Sequence, residues 1–138
     1  YIDRLRTLGQ SIDQRYRDSL DLFSSQVDSI IGRLLAKFPL NKDYPQATLC
    51  EILERLNSKY VNSSFCNELC ELNILHMRAP GDGGRIEKTK SNRFEQYADK
   101  IRFSFPNTAE IFDNIGDYYN RQALYQDTEA KKERLSDL

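Results

Sequence analysis

Large apolar residues recur along the first forty positions at steps of three and four: Ile2, Leu5, Leu8, Ile12, Tyr16, Leu20, Phe23, Val27, Ile30 and Leu34. That spacing puts them on one face of a helix. From Tyr16 onward the steps alternate four and three, the heptad rhythm of a coiled coil. One helix over 2–38 would reach roughly 50 Å at 1.5 Å per residue, longer than a small domain needs. Gly9 is the natural place for a kink. Ile31, Leu35 and Phe38 widen the stripe, as expected where a helix enters a core. Pro39 stops it, and Asn41-Lys42-Asp43-Tyr44-Pro45 predicts a loop.

A second pattern begins at Thr48-Leu49-Cys50-Glu51, which has the form of a capping box. Leu49, Ile52, Leu53 and Leu56 follow at helical spacing, predicting a helix to about Tyr60. Val61-Asn62-Ser63-Ser64 then reads as a polar break with a serine cap, and Phe65, Leu69 and Leu72 give a second helix its stripe. Ile74-Leu75-His76-Met77-Arg78 is short and mostly apolar and is stopped by Pro80-Gly81-Asp82-Gly83-Gly84. Residues 85–99 are polar. Lys100-Ile101-Arg102-Phe103-Ser104-Phe105-Pro106 alternates, predicting a half-buried strand with Ile101, Phe103 and Phe105 on one face. The two strands would form a wing with a tip of about twenty residues, an uncommon length for a structureless loop. After Pro106 a second capping pattern, Asn107-Thr108-Ala109-Glu110, introduces a helix with Phe112, Ile115, Tyr119 and Ala123 on one face and Tyr118 and Tyr125 beside it. This helix is expected to pack on the first, with the polar residues from Gln126 onward as a solvated end.

Cys70-Glu71-Leu72-Asn73-Ile74-Leu75-His76-Met77-Arg78, followed by the 100–106 strand and a helix, resembles winged helix-turn-helix modules found at the C-terminal side of P-loop ATPases. The resemblance spans roughly 40–120 and lies in the pattern, not in a sharp motif. It implies a mainly α fold: a winged helix-turn-helix core with a two-stranded wing at 39–106, flanked by a long N-terminal helix at 1–38 and a C-terminal helix and tail at 107–138. Such modules bind DNA or serve as protein-interaction units, and fold alone does not choose between these.

The chain has 138 residues, a net charge of −1, 30% charged and 39% hydrophobic residues. That suits one globular domain with a core of its own. No apolar run is long enough for a membrane span, so no membrane role is expected. Three cysteines are an odd number and favour a reducing, intracellular compartment, cytoplasmic or nuclear. Beginning at Tyr1 in an apparent mid-helix, the sequence is expected to be a piece of a longer protein. Charge is uneven: residues 78–102 carry seven Lys/Arg against four Asp/Glu, and residues 103–138 carry four against seven.

Candidate chemistry is sparse. Cys50, Cys66, Cys70 and His76 are the atom types of a Cys3His zinc site, but no CxxC pair is present and core packing is the expected use. His76 has no catalytic constellation around it. Gly81-Asp82-Gly83-Gly84 lacks the Lys-Ser/Thr of a phosphate loop. No cofactor, metal or enzymatic activity is expected. The basic residues Arg78, Arg85, Lys88, Lys90 and Arg93 are candidates for tracking a duplex DNA backbone from the wing. Glu68 and Glu71 on the second central helix argue against base reading there. Tyr16, Leu20, Phe23 and Val27 are candidates for contact with a protein partner or for homo-oligomerisation through a coiled coil. The leading expectation is a non-catalytic interaction and assembly module; the alternative is a nucleic-acid-binding winged helix.

Overall fold

The computed structural model describes residues 14–72 and 83–136. Among these residues five helices follow in order: α1 (Gln14–Leu35), α2 (Ala47–Leu56), α3 (Lys59–Leu72), α4 (Arg85–Ile101) and α5 (Pro106–Ser136). Among the described residues there is no strand, so the fold is mainly α but the two-stranded wing is not formed. The expected 74–78 strand lies outside the described residues. The other wing strand is a helix end: Lys100 and Ile101 close α4, and the amides of Ser104 and Phe105 both donate to the Ile101 carbonyl. The apparent alternation dissolves there. Ile101 is buried and Phe105 half-buried, while Phe103 is 102% exposed.

The polar 85–99 segment is not a loop but the body of α4. Its inward positions are Lys90, Ser91, Phe94, Ala98 and Ile101, spaced by a helical turn. Two of the five are polar, and that concealed the stripe. Lys90 buries its stem and holds its ammonium 5.4 Å from the centroid of the Tyr119 ring. The aliphatic stem packs while the charge keeps an electron-rich face. Ser91 is fully buried and donates its hydroxyl to the Gly116 carbonyl at 2.9 Å.

α4 and α5 form an antiparallel pair, with Gly84 against Ala123, Ser91 against Gly116 and Arg102 against Asp113. Small residues set how close the backbones come. A Cβ on Gly84 would lie 2.2 Å from the Ala123 carbonyl oxygen. The terminal helix thus packs on α4, where the spacing had suggested the first helix. Phe112, Ile115, Tyr119 and Ala123 are buried. Phe112 sits among four rings: Tyr44, Phe65, Phe94 and Tyr97, with centroids 5.8 to 6.2 Å away. Tyr44, from the loop after α1, is edge-on to Tyr97 at 4.9 Å.

The helix starts also differ from the local signals. Gln46 precedes α2 without a side-chain cap, so the box at Thr48 and Glu51 is not used. α2 ends at Asn57, whose φ of 38° is left-handed, and its amide donates to the Leu53 carbonyl. The break therefore falls at Asn57-Ser58 rather than at Val61–Ser64. Ser58 Oγ accepts the Val61 amide at 3.3 Å and begins α3. Pro106 starts α5 where a missing amide costs nothing.

The cap of α5 comes from another helix. Glu54 of α2 accepts the Asn107 amide at 3.2 Å, the Thr108 amide at 2.8 Å and the Thr108 hydroxyl at 2.9 Å. Burial pushes this carboxyl up, but those bonds outweigh it and hold it below the usual carboxylate range. Its contribution is therefore present above the unfolded glutamate pKa of about 4.3 and is lost as pH falls through the lower folded value. Glu54→Gln should lower unfolding free energy at pH 7 by about 1–2 kcal/mol. The gap to the parent chain should close on acidification. Urea denaturation at pH 7 and at about pH 3 checks it; an equal gap at both would mean that the charge is not what matters.

Candidate interaction surface

α1 has two unlike faces. One side packs on α3, and the two helices run in the same direction, from Asp28 beside Ser58 to Lys37 beside Glu68. Ser58 donates its hydroxyl to Asp28 at 2.8 Å, and Ser64 donates to the Ser29 carbonyl. At its closest approach the contact is made by small residues. A Cβ on Gly32 would lie 2.4 Å from the Val61 carbonyl oxygen and 2.8 Å from the Phe65 amide. Leu35 and Ala36 complete the buried side, with Ile31 and Phe38 packed against the core.

The opposite side carries the heptad stripe. Tyr16, Leu20, Phe23, Val27, Ile30 and Leu34 are all exposed, by 38% to 65%. At about 100° per residue they fall within a strip some 80° wide, and Ser25, Ser29, Gly32 and Ala36 fall on the far side. The structure thus places the four sequence candidates Tyr16, Leu20, Phe23 and Val27 together on one exposed face and adds Ile30 and Leu34. Periodicity identified the stripe but not its direction, because a large apolar face is ordinarily the one that a helix buries. The signal for direction was the small-residue row of Ser25, Ser29 and Gly32, which admits a close backbone approach.

The basic candidates are not gathered on a wing. Arg78 lies outside the described residues. Arg85, Lys88 and Arg93 are exposed on the outer face of α4, with Asn92 and Gln96 between them, whereas Lys90 is buried on the other side. Arg102, nearby, is engaged by Asp113 at 2.7 Å and Asp99 at 2.8 Å, and those carboxylates push its pKa upward.

A polar cleft of about 550 Å³ runs between α3 and α5, lined by Asn57, Lys59, Asn62, Cys66, Asn107 and Glu110 among others. The Asn62 side-chain oxygen is buried there without a hydrogen-bond partner. A second hollow of about 460 Å³ shares Cys66, Asn67 and Asn114 with it and continues to Cys70 and Tyr118.

The three thiols are free and poor nucleophiles. Burial pushes Cys50 up to about 11 and Cys66 up to about 12, and it raises Cys70 as well. A thiol that stays protonated neither attacks nor ligates readily. Among the described residues no three His, Cys, Asp or Glu side chains gather in a metal-holding group; His76 lies outside them. No described helix is long and apolar enough to cross a membrane.

Comparison with known proteins adds no assignment: no family model, no curated protein and no solved structure matches the chain. The winged-helix resemblance therefore has no support beyond the pattern that suggested it.

Proposed function

We propose that this chain is a non-catalytic assembly module whose working surface is the outward face of α1. The observation that carries the reading is the direction of the stripe. Six large apolar side chains at heptad positions point away from the body that α1 is anchored to. Exposed apolar area of this extent and regularity usually marks an interaction site. The anchoring face uses Ser29, Gly32, Leu35 and the half-buried Ile31, none of them in the stripe, so the stripe is not needed to hold α1 on α3. The partner is a helical protein surface, met by knobs-into-holes packing. An odd number of cysteines, none paired with another, suits a reducing setting.

Leu20→Asp/Val27→Asp tests this. At low protein concentration the double variant should unfold within about 2 °C of the parent, as surface substitutions do. An apolar dye should fluoresce less with the variant than with the parent. A drop of more than about 5 °C would show that the stripe packs within its own chain, and the reading would be lost.

One observation favours a second reading. Arg85, Lys88, Asn92, Arg93 and Gln96 share the exposed face of α4, and these are residue types that suit phosphate and base-edge contact. In this reading the face lies along duplex DNA. Arg85→Glu/Lys88→Glu/Arg93→Glu should weaken binding in fluorescence anisotropy roughly tenfold or more at low salt. Unchanged anisotropy would remove it.

A further inference from the structure

We infer that the partner of the α1 stripe is a second copy of this chain, bound antiparallel as a two-helix coiled coil. This rests on the assembly reading above and adds the identity and direction of the partner.

In heptad terms Leu20, Val27 and Leu34 occupy one core position, and Tyr16, Phe23 and Ile30 the other. Parallel dimers favour β-branched residues at the first position and Leu at the second. Here the second position holds two aromatic residues and an isoleucine, the wrong set for a parallel pair. In register, a parallel pair would also stack Phe23 on Phe23 and Tyr16 on Tyr16, with the thin layer Val27 on Val27 between thick ones. Turning one copy around pairs Tyr16 with Leu34, Leu20 with Ile30 and Phe23 with Val27. A ring then meets a smaller aliphatic residue in the Tyr16–Leu34 and Phe23–Val27 layers, Leu20 meets its isomer Ile30 between them, and the seam has nearly even thickness.

The flanks agree. In the antiparallel register Ser24 faces Ser24 and Gln26 faces Gln26, while Arg17 falls opposite Ile31 and Arg33 opposite Ser19. No like charges meet. The acidic residues Asp18, Asp21 and Asp28 lie away from the seam, and Asp28 is bonded to Ser58. The body also permits the arrangement. The contacts from Asp28 to Gly32 hold α1 from the side opposite the stripe. In an antiparallel pair the N-terminal half of each α1 runs beside the anchored half of the other, and the two bodies sit at opposite ends.

Area bounds the contact. Six side chains, each about half exposed of roughly 150–200 Å², offer about 500 Å² per copy. About 1,000 Å² in total is at the low end for a specific interface, so a reversible, concentration-dependent dimer is expected.

Sedimentation velocity over a wide concentration range, with paired cysteine variants, tests the proposal. The chain should show a monomer–dimer equilibrium. Leu20→Asp/Val27→Asp should weaken it at least a hundredfold without changing thermal unfolding at low concentration. Leu20→Cys mixed with Ile30→Cys should form a disulfide-linked dimer under mild oxidation, and neither variant should do so alone. The parent chain, oxidised alongside, gives the baseline from Cys50, Cys66 and Cys70. Self-linking of Leu20→Cys alone would overturn the antiparallel arrangement. A monomer at all concentrations would overturn the second copy as partner, and unchanged unfolding of the double variant would still leave the assembly reading standing. A dimer indifferent to Leu20→Asp/Val27→Asp would overturn the proposal, since another surface would then be holding it.

Discussion

Phe112→Ala should lower unfolding free energy by about 4 kcal/mol, within the range for emptying a large aromatic site. Phe112 is fully buried and touches four rings from three parts of the chain: the loop after α1 (Tyr44), α3 (Phe65) and one turn of α4 (Phe94 and Tyr97). Those rings are fixed by helices on either side and cannot all collapse into the void, so the cost combines lost burial with an unfilled cavity. Edge-to-face contacts with three of the rings add a smaller electrostatic loss. A domain of this size has a total stability of about 5–15 kcal/mol, so the variant should be near the edge of folding. Urea denaturation should show a lower midpoint with an unchanged slope. Phe103→Ala is the matched control: that ring is wholly exposed, and its removal should change stability by no more than about 0.5 kcal/mol. Equal effects at the two positions would contradict the aromatic cluster as the centre of the fold.

Gly32→Ala should destabilise the chain by about 3 kcal/mol, although the same change in an open helix stabilises by about 1 kcal/mol. The sign turns on what a methyl would strike. Two of its three nearest contacts, at 2.4 and 2.8 Å, are backbone atoms of α3, the Val61 oxygen and the Phe65 nitrogen. Neither can rotate aside, so α1 must lift from α3. The Ser64–Ser29 and Ser58–Asp28 bonds would lengthen with it. Hydrogen exchange should show faster opening of α1 in the variant while the α4–α5 pair keeps its protection. A more stable variant would mean that α1 is not held by close backbone approach.

Much of the helical content was legible. Tyr16 to Leu34, Leu49 to Leu56 and Phe112 to Ala123 each recur at helical spacing, and each is helical. Two things were not legible, for physical reasons. α4 was hidden because Lys90 and Ser91 stand at inward positions, where a lysine stem and a hydrogen-bonded hydroxyl replace the apolar side chains that a periodicity search seeks. Ile101, Phe103 and Phe105 imitated a strand because a helix end followed by a turn also spaces apolar residues by two over a short stretch. At the candidate site the residues were found but their direction was not: packing through Gly32 and Ser29 leaves little mark on an apolar pattern.

The helix starts have a consequence for how the chain folds. The first free amides of α5 are satisfied by Glu54, more than fifty residues earlier, and the Gly84 amide at the head of α4 is satisfied by Asp127, forty-three residues later. Pro106 and Glu87 favour the two starts locally, but the α4 cap residue Gly84 has no side chain and the α5 amides are bonded from α2. Each completes its cap only when a distant segment has arrived, so the capped helix and the tertiary contact form together. A chain wired in this way has little to gain from forming α4 or α5 alone. Its folding should follow a single exponential whichever helix is probed, with the long loop closures between the two ends setting the rate.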